Sequence, residues 1–269
     1  MQYIEESYQK RIQRNGLDIL CRNSGFEFTN LFFPYTSGEI GNYYVQSAVV
    51  MREGNDFDKS VKLMRDLITI AKNENNSEIE IITGGETRDL IFSMPVAALM
   101  KKPCAMIYKS GECVGASLVG RTATHVADLN NEGYSLENYW LPIIRKNGGD
   151  MREVFFFVDR LEDGAKVVDS LNIRGHAAVP LNVDAWEYLQ KKEVISGEIY
   201  LSLQERLEDK TQWAHRMLKS DKGLNELKRI LLDSRTIHKG IKIINAGYPE
   251  LREELVDRLS KIGLHIGEI

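Results

Sequence analysis

Between residues 78 and 181 the chain alternates short apolar runs with stretches of helical periodicity, and this alternation constrains the fold more than any other feature. The runs fall at 78–82 (ending in Thr83-Gly84-Gly85), 104–108, 123–127, 154–158 and 176–181. The stretches between them include 90–100, 164–171 and 136–146, the last expected to bend at Pro142. Val154-Phe155-Phe156-Phe157-Val158 has no polar residue at all. Strands buried on both faces read as continuous apolar runs, so the expected fold is α/β, a parallel sheet with helices on both faces. Upstream, Val61, Met64, Leu67, Ile68 and Ala71 mark one helix face, and Ile4, Tyr8 and Ile12 give 3–19 the pattern of a surface helix. Residues 26–41 read as a polar and aromatic loop.

Beyond residue 196 the character changes. Residues 199–232 are charged and mostly helical, broken near 221–223. Residues 241–244 read as a strand and 245–247 as a turn; Pro249 then opens a helix carrying Leu251, Leu255, Leu259 and Ile262, stopped by Gly263. The expected division is a core over 1–195 and a C-terminal extension over 196–269, α/β or mainly helical. A chain of 269 residues, 43% hydrophobic, can bury such a core. Its 35 basic and 39 acidic side chains leave a net charge of −4, with no global attraction to nucleic acid or an anionic membrane. Three cysteines without a CxxC pair argue against a disulfide framework. No apolar run approaches the roughly 18 residues that span a bilayer, and the charged N-terminus is unlike a signal peptide. The expected setting is soluble, reducing and cytoplasmic. His215 and His238 share no ligand spacing with the cysteines, so no metal site is expected in the protein itself.

In an open α/β sheet ligands bind outside the carboxyl ends of the strands. Polar residues gather there in this chain: Gly84-Gly85, Lys109, Asp128 and Asp159-Arg160. The segment Val126-Ala127-Asp128-Leu129-Asn130-Asn131-Glu132-Gly133-Tyr134-Ser135 carries most information. An apolar strand delivers an acid, and a short loop leads through a glycine and a serine into a helix. The carboxylate can accept hydrogen bonds from sugar hydroxyls, while backbone N–H groups at the helix start can hold a phosphate. Ser135 can cap that helix or contact the phosphate. The plainer reading of the same residues is a strand–turn–helix with an acidic first turn. His125 reads as a core or edge residue, Cys113 as an ordinary small residue, and the charges of 252–258 as a solvated helix face.

Taken in order, several segments over about residues 26–195 resemble the orotate phosphoribosyltransferases of the type I phosphoribosyltransferase family. Ser37-Gly38 followed by Tyr43-Tyr44 is similar to the family's entry region, Thr83-Gly84-Gly85-Glu86-Thr87-Arg88 to its pyrophosphate loop, and Tyr108-Lys109 to its Arg-Lys pair. The Asp128 segment resembles its phosphoribosyl pyrophosphate loop, and residues 158–164 resemble its Val-Asp-Arg element. The resemblance implies a type I phosphoribosyltransferase core and transfer of ribose 5-phosphate from phosphoribosyl pyrophosphate to orotate or a related base. Lys109 and Asp128 would carry the transfer. Asp128 would bind the ribose hydroxyls, the stretch from Glu132 through Gly133 to Ser135 would surround the 5′-phosphate, Asn131 would also contact phosphoribosyl pyrophosphate, and Gly84 and Gly85 would admit its pyrophosphate. Arg88, Asn131 and Arg160 would face the base, Arg160 as a planar fork for an anionic edge. Magnesium would be carried mainly by the substrate's phosphates, and a homodimer is implied by the same likeness.

The chain departs from that pattern at several positions. Ala127 replaces the first of two acids, Tyr108 an arginine, Glu132 a threonine and Asp89 a glycine; Glu112 and Val114 stand where a loop lysine and histidine are usual. Transfer at the anomeric carbon leaves negative charge on departing pyrophosphate, so catalysis rests largely on cations and water exclusion. Two functions therefore follow from the sequence: a phosphoribosyltransferase, or a catalytically degenerate homologue that binds a nucleotide or phosphoribosyl pyrophosphate in a regulatory role.

Overall fold

The computed structural model describes residues 2–264, with side chains from Tyr8 onward; Ile4, expected on the first helix's apolar face, lies outside the described side chains. In chain order the elements begin with helix α1 (Gln2–Arg22), strands β1 (Phe26–Pro34) and β2 (Ile40–Val45), a 3-10 segment (Ser47–Arg52) and α2 (Gly54–Glu74). Then come β3 (Ile81–Gly85), α3 (Leu90–Met100), β4 (Cys104–Ile107), β5 (Cys113–Gly115) and β6 (Thr122–Asn130). A π-helical turn (Leu136–Trp140) runs into α4 (Leu141–Lys146), followed by β7 (Asp150–Asp159), α5 (Asp163–Ser170), β8 (Arg174–Pro180) and α6 (Val183–Lys191). The chain continues as α7 (Gly197–Glu208), α8 (Lys210–Lys219), α9 (Asp221–Leu232), α10 (Ile237–Lys242), a second π-helical turn (Ile243–Gly247), a short 3-10 turn (Pro249–Leu251) and α11 (Arg252–Lys261).

The described residues group into two compact units. One joins the chain up to Gly25 with Gln46–Tyr188, the other Phe26–Val45 with everything from Leu189 on.

The first unit holds a six-stranded sheet in the order β5-β4-β3-β6-β7-β8, parallel throughout except for the antiparallel edge strand β5. Successive side chains of a strand point to opposite faces, and β7 shows why its sequence is apolar throughout. Phe157 stacks on Phe92 of α3 on one face, at a ring distance of 4.5 Å. Val154 and Phe156 join Leu141, Ile143 and Ile144 of α4 and Val168 of α5 in a cluster on the other. The expected parallel sheet with two covered faces is present. α1 is amphipathic, with Ile12, Leu17, Ile19 and Leu20 all buried. The disturbance anticipated near Pro142 takes the form of the π-helical turn just before it: Trp140 and Leu141 keep helical dihedrals, so the helix runs on and Pro142 interrupts its hydrogen-bond ladder.

In the second unit, residues 26–45 form an antiparallel hairpin of β1 and β2, not the expected loop. Their aromatic side chains are what the strands bury: Phe32 and Ile40 enter one apolar cluster with Trp213, Leu227, Ile244 and Leu255. The hairpin is tied to this unit's helices by Asn42 Nδ2 donating to Ser202 Oγ (3.0 Å), the Ile40 amide donating to Tyr248 Oη (3.1 Å) and a Lys210–Glu39 ion pair (2.8 Å). Residues 241–244 are helical where a strand was expected, because Ile243 and Ile244 pack into that same cluster. The helical stretch 199–232 breaks at Asp209 and Ser220, each an N-cap whose side chain accepts from an amide of the following helix. Among the described residues no helix is long and apolar enough to cross a membrane.

Candidate functional site

β3, β4 and β6 end side by side, so the segments that follow them converge. Residues 86–89 lead into α3, Lys109 follows β4, and residues 131–135 follow β6. They enclose a cleft of about 410 Å³ lined by residues 86–89, Lys109, His125, residues 127–136, Trp140 and Phe156. That volume suits a small phosphorylated metabolite.

Two stretches of this lining offer unused backbone donors. Among the described residues, the amides of Thr87, Arg88 and Asp89 and those of residues 132–135 donate to no other group. Successive free N–H groups in turns form concave anion sites. The second stretch turns at Gly133, whose φ of +70° suits glycine. A Cβ there would lie 2.7 Å from the Val167 Cβ, so α5 packs directly against the loop. Ser135 makes no capping hydrogen bond.

Asp128 joins the two stretches. Its backbone N–H donates to Asp89 Oδ1 (3.0 Å), and its Oδ2 accepts from Ser47 Oγ (2.7 Å). Asp89 also accepts the Gly85 amide on Oδ2 (3.1 Å). Burial and the neighbouring Asp89 charge push the Asp128 carboxyl up to about 7, against smaller downward effects of the Ser47 bond and Arg88. Beneath the pair lies His125, fully buried, with Nδ1 on Thr83 Oγ1 (3.0 Å) and Nε2 3.6 Å from Asp89 Oδ2. Trp140 closes this side, its ring 6.4 Å from the imidazole.

The sequence-predicted residues divide accordingly. Arg88, Lys109, Asp128, Asn131, Glu132, Gly133 and Ser135 all line the cleft. Gly84 and Gly85 are buried beneath it, where a Cβ would strike Ser93 or the Trp140 indole; here they serve close packing. Arg160 is absent from the lining. Its buried guanidinium binds Glu162 Oε1 through Nε (3.0 Å) and Nη2 (2.8 Å), and its amide donates to the Asn130 carbonyl (3.1 Å). The cleft therefore does not bring Asp128 and Arg160 together. Lys109 holds its ammonium 5.2 Å from the Tyr139 ring centroid while its amide donates to Glu86 Oε1 (2.8 Å). Glu112 and Val114 belong to a tight β4–β5 hairpin, closed by the Tyr108 amide on the Glu112 carbonyl (2.9 Å). Sequence reasoning missed the constructive places of Asp89, His125, Ser47 and Trp140. Asp89 stood out only as a departure from a family pattern, and the other three carry no local signal.

With two cations (Arg88, Lys109) against four acids (Glu86, Asp89, Asp128, Glu132), the lining is anionic. No family model and no curated protein matches the chain. Its fold, however, is similar to solved structures. Orotate phosphoribosyltransferase from Aeropyrum pernix aligns with a TM-score of 0.56 at 16% identity, over 66% of this chain and 99% of that one. The Francisella tularensis orotate phosphoribosyltransferase gives 0.58 at 15%, over 71% and 96%. UMP synthase from Leishmania donovani gives 0.61 at 17%, over 73% of this chain but only 42% of its own length. The first unit's mostly parallel sheet with helices on both faces thus has the orotate phosphoribosyltransferase-like type I fold. At these identities it is the fold that is shared.

Proposed function

We propose that the cleft binds phosphoribosyl pyrophosphate and that the protein is an orotate-type phosphoribosyltransferase, moving ribose 5-phosphate onto orotate or a related base. The observation that carries this reading is the pair of unused amide stretches, 87–89 and 132–135, joined at Asp128. A ligand with a phosphate at each end of a ribose matches two anion cradles with a hydroxyl acceptor at their junction. The amides of 132–135 would take the 5′-phosphate, and those of 87–89, with Arg88 and Lys109, the pyrophosphate. In the transfer a base nitrogen forms a bond to the anomeric carbon as the bond to pyrophosphate breaks, the leaving group keeping the electron pair. Arg88 and Lys109 would stabilise that developing charge.

The lining holds more carboxylates than cations, which suits a ligand that arrives with magnesium on its phosphates. No group of three or more His, Cys, Asp or Glu side chains is placed to hold a metal among the described residues, so the ion would ride chiefly on the ligand's phosphates. Its contribution when bound is charge neutralisation. A homodimer is a further expectation from the sequence resemblance, and light scattering tests it.

The acid excess favours a second reading: phosphoribosyl binding without efficient turnover, in a regulatory role. Pyrophosphate release assayed with orotate, uracil and purines separates the two. Turnover with any base supports the enzyme. Tight, Asp128-dependent binding of phosphoribosyl pyrophosphate without turnover supports the binding protein, and failure to bind it rejects both.

A further inference from the structure

We propose that Asp89 is a second sugar-hydroxyl acceptor, forming with Asp128 one site for the vicinal diol of a 5-phosphorylated ribose. The proposal rests on the phosphoribosyl reading of the cleft and assigns a role to a residue outside the loop that contains Asp128.

Position 127 offers no carboxylate, and its methyl packs in a cluster with Leu136, Trp140 and Phe156. An acid has instead been brought to Asp128 through space. Both carboxylates line the cleft. Asp89 is locked there by the amides of Gly85 on one oxygen (3.1 Å) and Asp128 on the other (3.0 Å). Each carboxylate oxygen can accept twice, so each retains capacity for a ligand hydroxyl. Two acids held together in the interior are costly, and an asparagine could accept one of those amides without the repulsion. The carboxylate accepts both amides, and the lone pairs left on its two oxygens are the ones a ligand hydroxyl would use.

The imidazole of His125 is an independent sign of a ligand site. It is fully buried, lines the cleft and leaves Nε2 without a hydrogen-bond partner, 3.6 Å from Asp89 Oδ2. The charged or titratable groups that line the cleft with the acid pair are His125 from β6, Arg88 and Glu86 from the segment before α3, Glu132 and Tyr134 from the segment after β6, and Lys109 after β4; the 3-10 segment contributes the Ser47 hydroxyl.

The test compares ribose 5-phosphate with 2-deoxyribose 5-phosphate, which differ only in one hydroxyl, by calorimetry on the full chain across pH 5.5–8.5. Phosphoribosyl pyrophosphate and inorganic phosphate are measured in parallel on the wild type. The expected wild-type preference for the hydroxylated sugar is about tenfold, the worth of one such hydrogen bond. Affinity should rise with pH through a midpoint near the Asp128 value of about 7. Asp89→Asn should cut the preference to about twofold or less and move the midpoint to lower pH, because the charge that repels the Asp128 carboxylate is gone. An Asp89→Asn protein that keeps both the preference and the midpoint overturns the proposal. So does a wild type that binds phosphoribosyl pyrophosphate yet shows no hydroxyl preference, which leaves the phosphoribosyl reading intact. If the wild type binds none of these ligands, both fall. Should Asp89→Asn fail to fold, Asp89→Ser gives the same two readouts.

Discussion

Asp128 is an acid held where its charge is disfavoured. Its folded-state value of about 7 lies above the ordinary 3.8, so the native chain holds this proton more tightly than the unfolded chain. The stability it contributes is present at low pH and is lost as pH rises towards about 7. Asp128→Asn should therefore raise the melting temperature at pH 8, with little change at pH 4.5, while weakening ribose 5-phosphate binding at least tenfold; scanning calorimetry and titration check the two halves. Gly133 gives the opposite case. Alanine at φ +70° and 2.7 Å from the Val167 Cβ should cost about 1–3 kcal/mol in a urea melt and weaken phosphate binding. The loop around these two residues was legible because acid, glycine and serine are contiguous. Asp89 was not: its bond to the Asp128 amide spans 39 residues. Nor was His125, whose Thr83 partner lies beside it only once β3 and β6 pair in register.

At the scale of elements, close packing by itself requires glycine at Gly84 and Gly85, whatever ligand contact the motif implies. Gly84 lets α3 lie against β3, since a Cβ there would fall 2.1 Å from Ser93 Oγ and 2.5 Å from its Cβ. Gly84→Ala should destabilise the protein by about 1–3 kcal/mol, and adding Ser93→Gly should recover part of it; denaturant melts of the three variants test this. Parallel strands and their helices were readable because continuous apolar runs and helical periodicity are local patterns. The β1–β2 hairpin and the helical 241–244 were not, because their partners are distant. Phe32 and Ile40 are strand residues that bury against Trp213 and Leu227, and Ile244 joins the same cluster, where packing overrides the local β preference of an isoleucine pair.

For the molecule as a whole, the sheet carries the candidate cleft at one end of its strands and a charged anchor near the other. Lys72 of α2 reaches Glu153 at the start of β7, both almost fully buried, and Glu153 also binds Arg174 (3.0 Å) and Asn75 (3.2 Å). Removing Lys72 leaves the buried Glu153 carboxylate with Arg174 and Asn75 as partners, so Lys72→Met should cost about 1.5–3 kcal/mol, the worth of a hydrogen bond to a charged group, without altering the order of ligand preference in the cleft. Thermal melts and ribose 5-phosphate titration check both parts. The central claim is that the cleft at the strand ends binds a phosphoribosyl ligand, and such a ligand must stabilise the folded chain by mass action. The most direct measurement is the melting temperature of the wild type and Asp128→Asn with increasing phosphoribosyl pyrophosphate and magnesium, each against a magnesium-only control. A saturable rise is expected in the wild type and should be largely lost in the variant; no rise at millimolar ligand, or an equal rise in both proteins, would rule out a phosphoribosyl site in this cleft.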